Sequence, residues 1–118
     1  MSLIRCKFNA VRSGSGFVDI SGEQRVSAAP LDIALRNRKA DFIKMDIEGA
    51  ETNALVGAYQ VVLRNKPTLA VSAYHQPGHL FQVPLLIKAM APDYKLHLRH
   101  YREYAVSETV CCGISKKR

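Results

Sequence analysis

The sequence holds 118 residues, 47% of them hydrophobic, with 17 Lys+Arg against 10 Asp+Glu for a net charge of 17 − 10 = +7. Those totals give room for one domain, residues 1–118, and exclude a disordered chain. No apolar run approaches the ~20 residues of a membrane helix, and the opening MSLIRCKFNA has no signal-peptide anatomy, so a cytoplasmic protein away from membranes is expected.

The positive charge is scattered over Arg36–Lys39, Lys95–Arg102 and Lys116–Arg118. A dispersed excess is the pattern of a solvated surface, so a nucleic-acid partner is not expected. Cys6, Cys111 and Cys112 lack the C-x-x-C spacing of a metal site and read as reduced thiols. The adjacent pair lies in a strand-like run, so its two side chains should point to opposite faces.

The first 30 residues are weakly patterned. IRCKFNAV alternates like a strand, RSGSG is a turn, FVDIS is a second short β run, and EQRVSAAP leads into Pro30. The G-x-G of SGSGF lacks a third glycine and precedes a strand, so it reads as a surface turn and not a nucleotide loop. Leu31 to Leu35 form one or two helical turns, with Asp32 where the helix dipole favours an anion.

From Asp41 the signals sharpen. Phe42 to Ile47 is a mostly apolar β run of the buried parallel type. Ala50 to Arg64 carries helical spacing, with Ala54, Leu55, Ala58, Val61 and Val62 on one stripe, and Lys66-Pro67 stops it. Thr68 to Tyr74 is a second buried strand and His75 to His79 a loop. Leu80 to Met90 is a helix, its regular part starting near Pro84, which a first turn tolerates. YKLHLRHY alternates as a strand, and ETVCCGIS is the last strand.

Strand, helix, strand, helix, strand, strand is an α/β order, and the crossovers imply a parallel sheet. The connection Arg102 to Ser107 is too short for a helical crossover, so the last two strands should form an antiparallel hairpin. Ligands of such sheets bind at the carboxyl ends of the strands. Asp46 ends the first strong strand and His75 ends the next. On neighbouring parallel strands ~5 Å apart, a carboxylate and an imidazole converge, which suits acid–base chemistry or a metal. Glu48 belongs to the same junction, and Gly49 fits a tight turn or close approach of a ligand. Glu48 and Glu51 also read as first-turn acids that help the helix by ~0.3–1 kcal/mol each, and for Glu51 this reading stands level with a place in the site. His75 and His79 have i,i+4 spacing, but Pro77-Gly78 between them forbids a helical metal pair; no metal is assigned.

DFIKMDIEGAE, with Gly57-Ala58, KPTLAVSAYHQPGHLFQVP, YKLHLRHY and ETV in this order, resembles the C-terminal half of FkbM-type methyltransferases, from about Pro30 to Ile114. The resemblance implies a partial Rossmann-like sheet whose final hairpin reverses direction. It implies S-adenosylmethionine as cofactor and O-methyl transfer to a hydroxyl acceptor, a small molecule or a glycan. It also implies Asp46 and His75 as catalytic residues and Asp46, Glu48 and Gly49 as cofactor-binding ones. His75 matches the histidine that ends the family's fifth strand and is the candidate general base. His79 departs from the acidic residue expected there, and Thr52 and Asn53 replace larger or apolar residues. The family's glycine-rich methionine loop and its ribose-binding acid have no counterpart in these 118 residues, so weak or absent cofactor binding is expected of the chain by itself. The rival reading is a non-catalytic basic module that binds a protein or an anionic polymer.

One consequence concerns assembly. Without the strand that flanks it in the family, Phe42 to Ile47 becomes an apolar edge that needs a partner. Ile4 to Ile20 could fold back onto it; pairing of two chains also buries the uncovered face, so a homodimer is expected.

Overall fold

The computed structural model describes residues 4–10, 16–19, 24–101, 103 and 108–116, with side chains from Ser27 onward. The N-terminal stretch forms β1 (Ile4–Ala10), β2 (Gly16–Asp19) and β3 (Gln24–Ala28), an antiparallel sheet in the order β2-β1-β3. The first two strands match the expected β runs. The third is a strand where the sequence suggested only a lead into Pro30; QRVSA has one apolar β-branched residue, too little to stand out. The expected RSGSG turn lies largely outside the described residues.

A second sheet follows, built from β4 (Phe42–Met45), β5 (Thr68–Ser72), β6 (Tyr94–His100) and β7 (Thr109–Ser115) in the order β4-β5-β7-β6. Strands β4 and β5 are parallel, with Met45 opposite Val71, and β6 and β7 form the antiparallel hairpin. Strand β7 also runs antiparallel to β5. This is the expected parallel sheet that ends in a reversed hairpin. Cys111 is buried and Cys112 half-buried, as alternation requires. Burial, and secondarily the neighbouring Cys112, pushes the Cys111 thiol up to about 11.

Helix α1 (Leu31–Ala34) is as short as expected. The single helix expected over Ala50 to Arg64 is instead two, α2 (Glu51–Val56) and α3 (Tyr59–Asn65). The break is made from a distance. The Asp32 carboxylate accepts the N–H groups of Gln60 (3.0 Å) and Val61 (2.9 Å), capping the first turn of α3 from 28 residues upstream. The Asp32 N–H in turn donates to the Gly57 carbonyl at 2.9 Å. A Cβ at Gly57 would stand 3.3 Å from Pro30, a tight contact that glycine avoids. Lys66 ends α3 in the left-handed region (φ 52°), just before Pro67.

Helix α4 (His79–Met90) begins one residue before the expected start and holds Pro84 in its interior, not near its start. One lost N–H is tolerated because the core face of the helix, Val83, Ile87 and Met90, is buried. Leu55, Val62, Leu69, Val71, Val83 and Tyr94 are all fully buried in one core between the helices and β4–β7. Each contributes ~1.5–3 kcal/mol by leaving water. The Tyr94 hydroxyl donates to the Pro67 carbonyl (2.6 Å), and the Lys88 ammonium caps the carbonyls of Pro92 and Tyr94. No helix among the described residues is long and apolar enough to cross a membrane.

Candidate functional site

The parallel pairing of β4 with β5 brings their carboxyl ends together, and every acidic signal of DIEGAE emerges there. After Met45 the chain leaves the sheet and turns through two left-handed residues, Glu48 (φ 55°) and Gly49 (φ 105°), before α2 begins. Glu48 tolerates this conformation at a steric cost. At Gly49 a side chain is strained by the backbone angle, and a Cβ would also crowd the Gln76 amide nitrogen at 3.0 Å. The Gln76 Nε2 donates to the Gly49 carbonyl (3.2 Å), tying the loop after β4 to the loop after β5.

Glu51 is the hub. Its side chain is fully buried, and its carboxylate accepts the backbone N–H of Ile47 at 3.0 Å and of Gly49 at 3.0 Å. The His75 Nδ1 lies 2.7 Å from the same Oε1. The His79 Nδ1 lies 3.5 Å from Oε2, with His79 itself buried at the start of α4. A carboxylate only accepts, so His75 Nδ1 carries the proton in this contact and Nε2 is the ring's other face. Glu51 is therefore more than a first-turn acid that helps its helix. Its first-turn position was legible in the sequence; its burial under two backbone donors and two imidazoles was not.

His75 Nε2 points to the two remaining carboxylates, 3.4 Å from Asp46 Oδ1 and 3.5 Å from Glu48 Oε1. It is buried and makes no hydrogen bond. The carboxylates are half open, with side-chain exposures of 45% for Asp46 and 38% for Glu48, against 7% for His75. Ser72 Oγ donates to Asp46 Oδ1 (3.1 Å), and the Tyr74 hydroxyl stands 3.5 Å from that oxygen. Partial burial first, then the charges of Asp46, Glu108 and Glu48, push the Tyr74 phenol up from its ordinary value. The Tyr74 ring also packs on the His75 imidazole, centroids 4.1 Å apart.

Asp46, Glu48 and His75, singled out from sequence, thus meet at one point. Gly49 adjoins them, but its N–H and C=O are both engaged within the protein. Ser72, Tyr74, Glu51, Gln76 and His79 complete the site and were not singled out. Ser72 and Tyr74 carry one usable signal: they alternate at the end of the strand before His75, so both can face the same edge.

The sequence profile of the "Methyltransferase FkbM domain" family matches residues 5–104. The chain belongs to the FkbM methyltransferase family. The match begins 25 residues before Pro30, where the sequence resemblance started, and so takes in most of β1 and all of β2 and β3. The fold is similar to the crystal structure of Methyltransferase FkbM from Methylobacillus flagellatus KT, determined at 2.20 Å resolution. The sequences are 36% identical and the TM-score is 0.69, with 75% of this chain and 23% of that one covered. No curated protein matches the chain. The FkbM segment therefore corresponds to less than a quarter of that relative's length. The mixed α/β structure, with its parallel β4–β5 pair and its antiparallel strands, matches part of a methyltransferase fold.

Proposed function

We propose that this chain carries the acceptor side of an S-adenosylmethionine-dependent O-methyltransferase that acts on a hydroxyl of a small molecule or glycan. The observation that supports it is the convergence of Asp46, Glu48 and His75 at the carboxyl ends of two parallel strands, with His75 oriented by buried Glu51. The donor set suits the cofactor: two half-open carboxylates accept hydrogen bonds from hydroxyl and ammonium groups and favour a neighbouring sulfonium charge. S-adenosylmethionine supplies the electrophilic methyl group. Asp46 and Glu48 would hold it, with Gly49 keeping their loop tight. Ser72 and Tyr74 steady Asp46 from the sheet side, and His75 Nε2 takes the proton of the acceptor hydroxyl. Holding two reactants in near-attack geometry supplies much of the rate of such a transfer.

A chimera tests the reading. Residues 30–114 replace the matching segment of the Methylobacillus flagellatus protein, and S-adenosylhomocysteine formation is followed over a panel of hydroxyl compounds. Turnover by the chimera, lost by at least a hundredfold in Asp46→Asn and His75→Gln, supports it. A folded chimera whose turnover both variants leave unchanged refutes it.

The partner proposed is a second copy. Strand β4 pairs only with β5 among the described residues, while β1 pairs with β2 and β3 and not with β4. Phe42, on the open edge, is 59% exposed. Such an edge is a pairing template, and Lys44 is thin protection.

A further inference from the structure

The His75 Nε2 poses a problem that the methyl-transfer reading leaves standing. A buried polar nitrogen without a partner is costly to a fold, and this one is held in place by a 2.7 Å contact on the far side of its ring. It also faces two carboxylate oxygens at 3.4 and 3.5 Å without a hydrogen bond to either. We infer that Asp46, Glu48 and His75 form a binding site for a divalent cation of the zinc class.

The geometry carries the inference in three ways. First, the three donor atoms all lie within 4.8 Å of one another, with the two measured imidazole–carboxylate separations at 3.4 and 3.5 Å. Ligands ~2.0–2.1 Å from a tetrahedral ion stand about 3.4 Å apart, whereas adjacent ligands of an octahedral ion of that size stand about 3.0 Å apart. Second, one imidazole and two carboxylates form a mixed N,O set, which suits zinc-class ions better than magnesium. Three protein ligands leave a fourth position open toward solvent, the arrangement of sites where metals meet substrates. Third, the ligand's support is already built. Glu51 accepts from Nδ1 of the ligating histidine, which fixes its ring and turns the Nε2 lone pair toward the carboxylates; metal-bound histidines use this same carboxylate support. Glu51 is itself held by the N–H groups of Ile47 and Gly49, on either side of Glu48.

The inference goes beyond the methyl-transfer reading and does not rest on it. With a cation on Nε2, that nitrogen no longer takes a proton; the open position would instead bind and acidify a hydroxyl. The site needs no cofactor, so it is tested without one. The chain is titrated with Co²⁺ alone, read by its visible d–d absorption, and with Zn²⁺ alone, read by calorimetry, for the native protein and for Glu48→Gln and Asp46→Asn. Glu48→Gln changes a half-exposed side chain and spares the buried hub, so it keeps the test valid if other variants misfold. Expected are one equivalent of either ion, the intense visible bands of four-coordinate cobalt without thiolate charge transfer, and at least a tenfold loss of affinity in each variant. Absence of binding at 1 mM ion, on the order of −4 kcal/mol, overturns the inference. So does binding that Glu48→Gln and Asp46→Asn leave unchanged, or a site that prefers Mg²⁺ to Zn²⁺.

Discussion

Replacing Glu51 by glutamine separates two accounts of the same residue. If Glu51 acted only through the helix dipole, the change would cost ~0.3–1 kcal/mol. The structure predicts more. Oε1 accepts from Ile47 N and His75 Nδ1, and Oε2 accepts from Gly49 N, all within 3.0 Å. A glutamine has one acceptor oxygen, so its NH₂ must face one of these donors. The better placement keeps the oxygen toward Ile47 and His75 and turns the NH₂ on Gly49. That loses one hydrogen bond to a charged group, ~1.5–3 kcal/mol, and converts the others to neutral ones at up to ~1 kcal/mol each. The sum is about 1.5–5 kcal/mol, a large share of the ~5–15 kcal/mol that holds a domain of this size.

Urea unfolding followed by far-ultraviolet circular dichroism measures it. With a slope of ~1–2 kcal/mol per M, the midpoint should fall by about 2 M. Glu48→Gln removes the same charge three residues away from a half-exposed side chain and should stay within ~0.5 kcal/mol of the native protein. Amide exchange adds a local readout, because the Ile47 and Gly49 N–H groups should exchange faster in Glu51→Gln alone. Equal midpoints for the two variants, with both amides still protected, would refute the hub.

Gly49→Ala should destabilise by ~1–3 kcal/mol in the same assay, since φ is 105° and the new methyl meets Gln76 at 3.0 Å. Asp46→Asn should leave stability within ~0.5 kcal/mol of native while abolishing turnover in the chimera, because its side chain is half open. The Lys66 ammonium and the Ser115 hydroxyl, bonded to Asp93 at 2.9 and 2.7 Å, hold the Asp93 carboxyl down to about 2. A depressed folded value gives stability that is full above the ordinary 3.8 and is lost as pH falls toward 2. Lys66→Met should flatten the acid limb of a melting-temperature profile in that window, and an unchanged limb would count against the pair. Light scattering at micromolar concentration should show twice 13.1 kDa. Phe42→Lys should return the monomer, and a monomeric native chain would rule out pairing through β4.

The parts of the fold that were legible in the sequence are those with a short-range cause. Phe42–Met45 and Thr68–Ser72 are apolar runs long enough to be buried strands, and a connection of a few residues forces the last two strands to pair. The break at Gly57 was not legible, because its cause is Asp32, which caps Gln60 from 28 residues upstream; local spacing over Ala50–Arg64 is helical throughout. Strand β3 was missed for a related reason: it exists as a partner of β1, and five mostly polar residues do not announce that pairing. In the site the same division holds. Asp46 and His75 were found because strand ends are where such sheets place ligands. Glu51 and His79 were not placed in the site because burial of a charged or imidazole side chain is a tertiary outcome, decided by which donors close over it.

That division also explains why a basic chain gathers its carboxylates here. Asp46 and Glu48 place oxygens within 4.8 Å of each other and of His75. At that separation two unit charges repel by ~1–3 kcal/mol, between the values for water and for a protein surface. Glu51, three residues on, would add to this if it were bare. It is instead saturated by two backbone donors and an imidazole. Asp46 receives one hydroxyl from Ser72, and the Tyr74 hydroxyl lies near it. The two carboxylate charges therefore face His75 Nε2 together, softened on the Asp46 oxygen by the Ser72 hydroxyl. Among the described residues no lysine or arginine pairs with either carboxylate. What such an arrangement stabilises is a positive charge brought from outside: a sulfonium, or a divalent cation on the imidazole and the two carboxylates. The two can be told apart by charge and geometry, because a sulfonium needs only the carboxylates, whereas a cation bound at 2.1 Å needs the Nε2 lone pair as well. Loss of cobalt binding in His75→Gln with carboxylates intact would place the cation on the imidazole; unchanged binding would leave the sulfonium as the charge this pocket is built for.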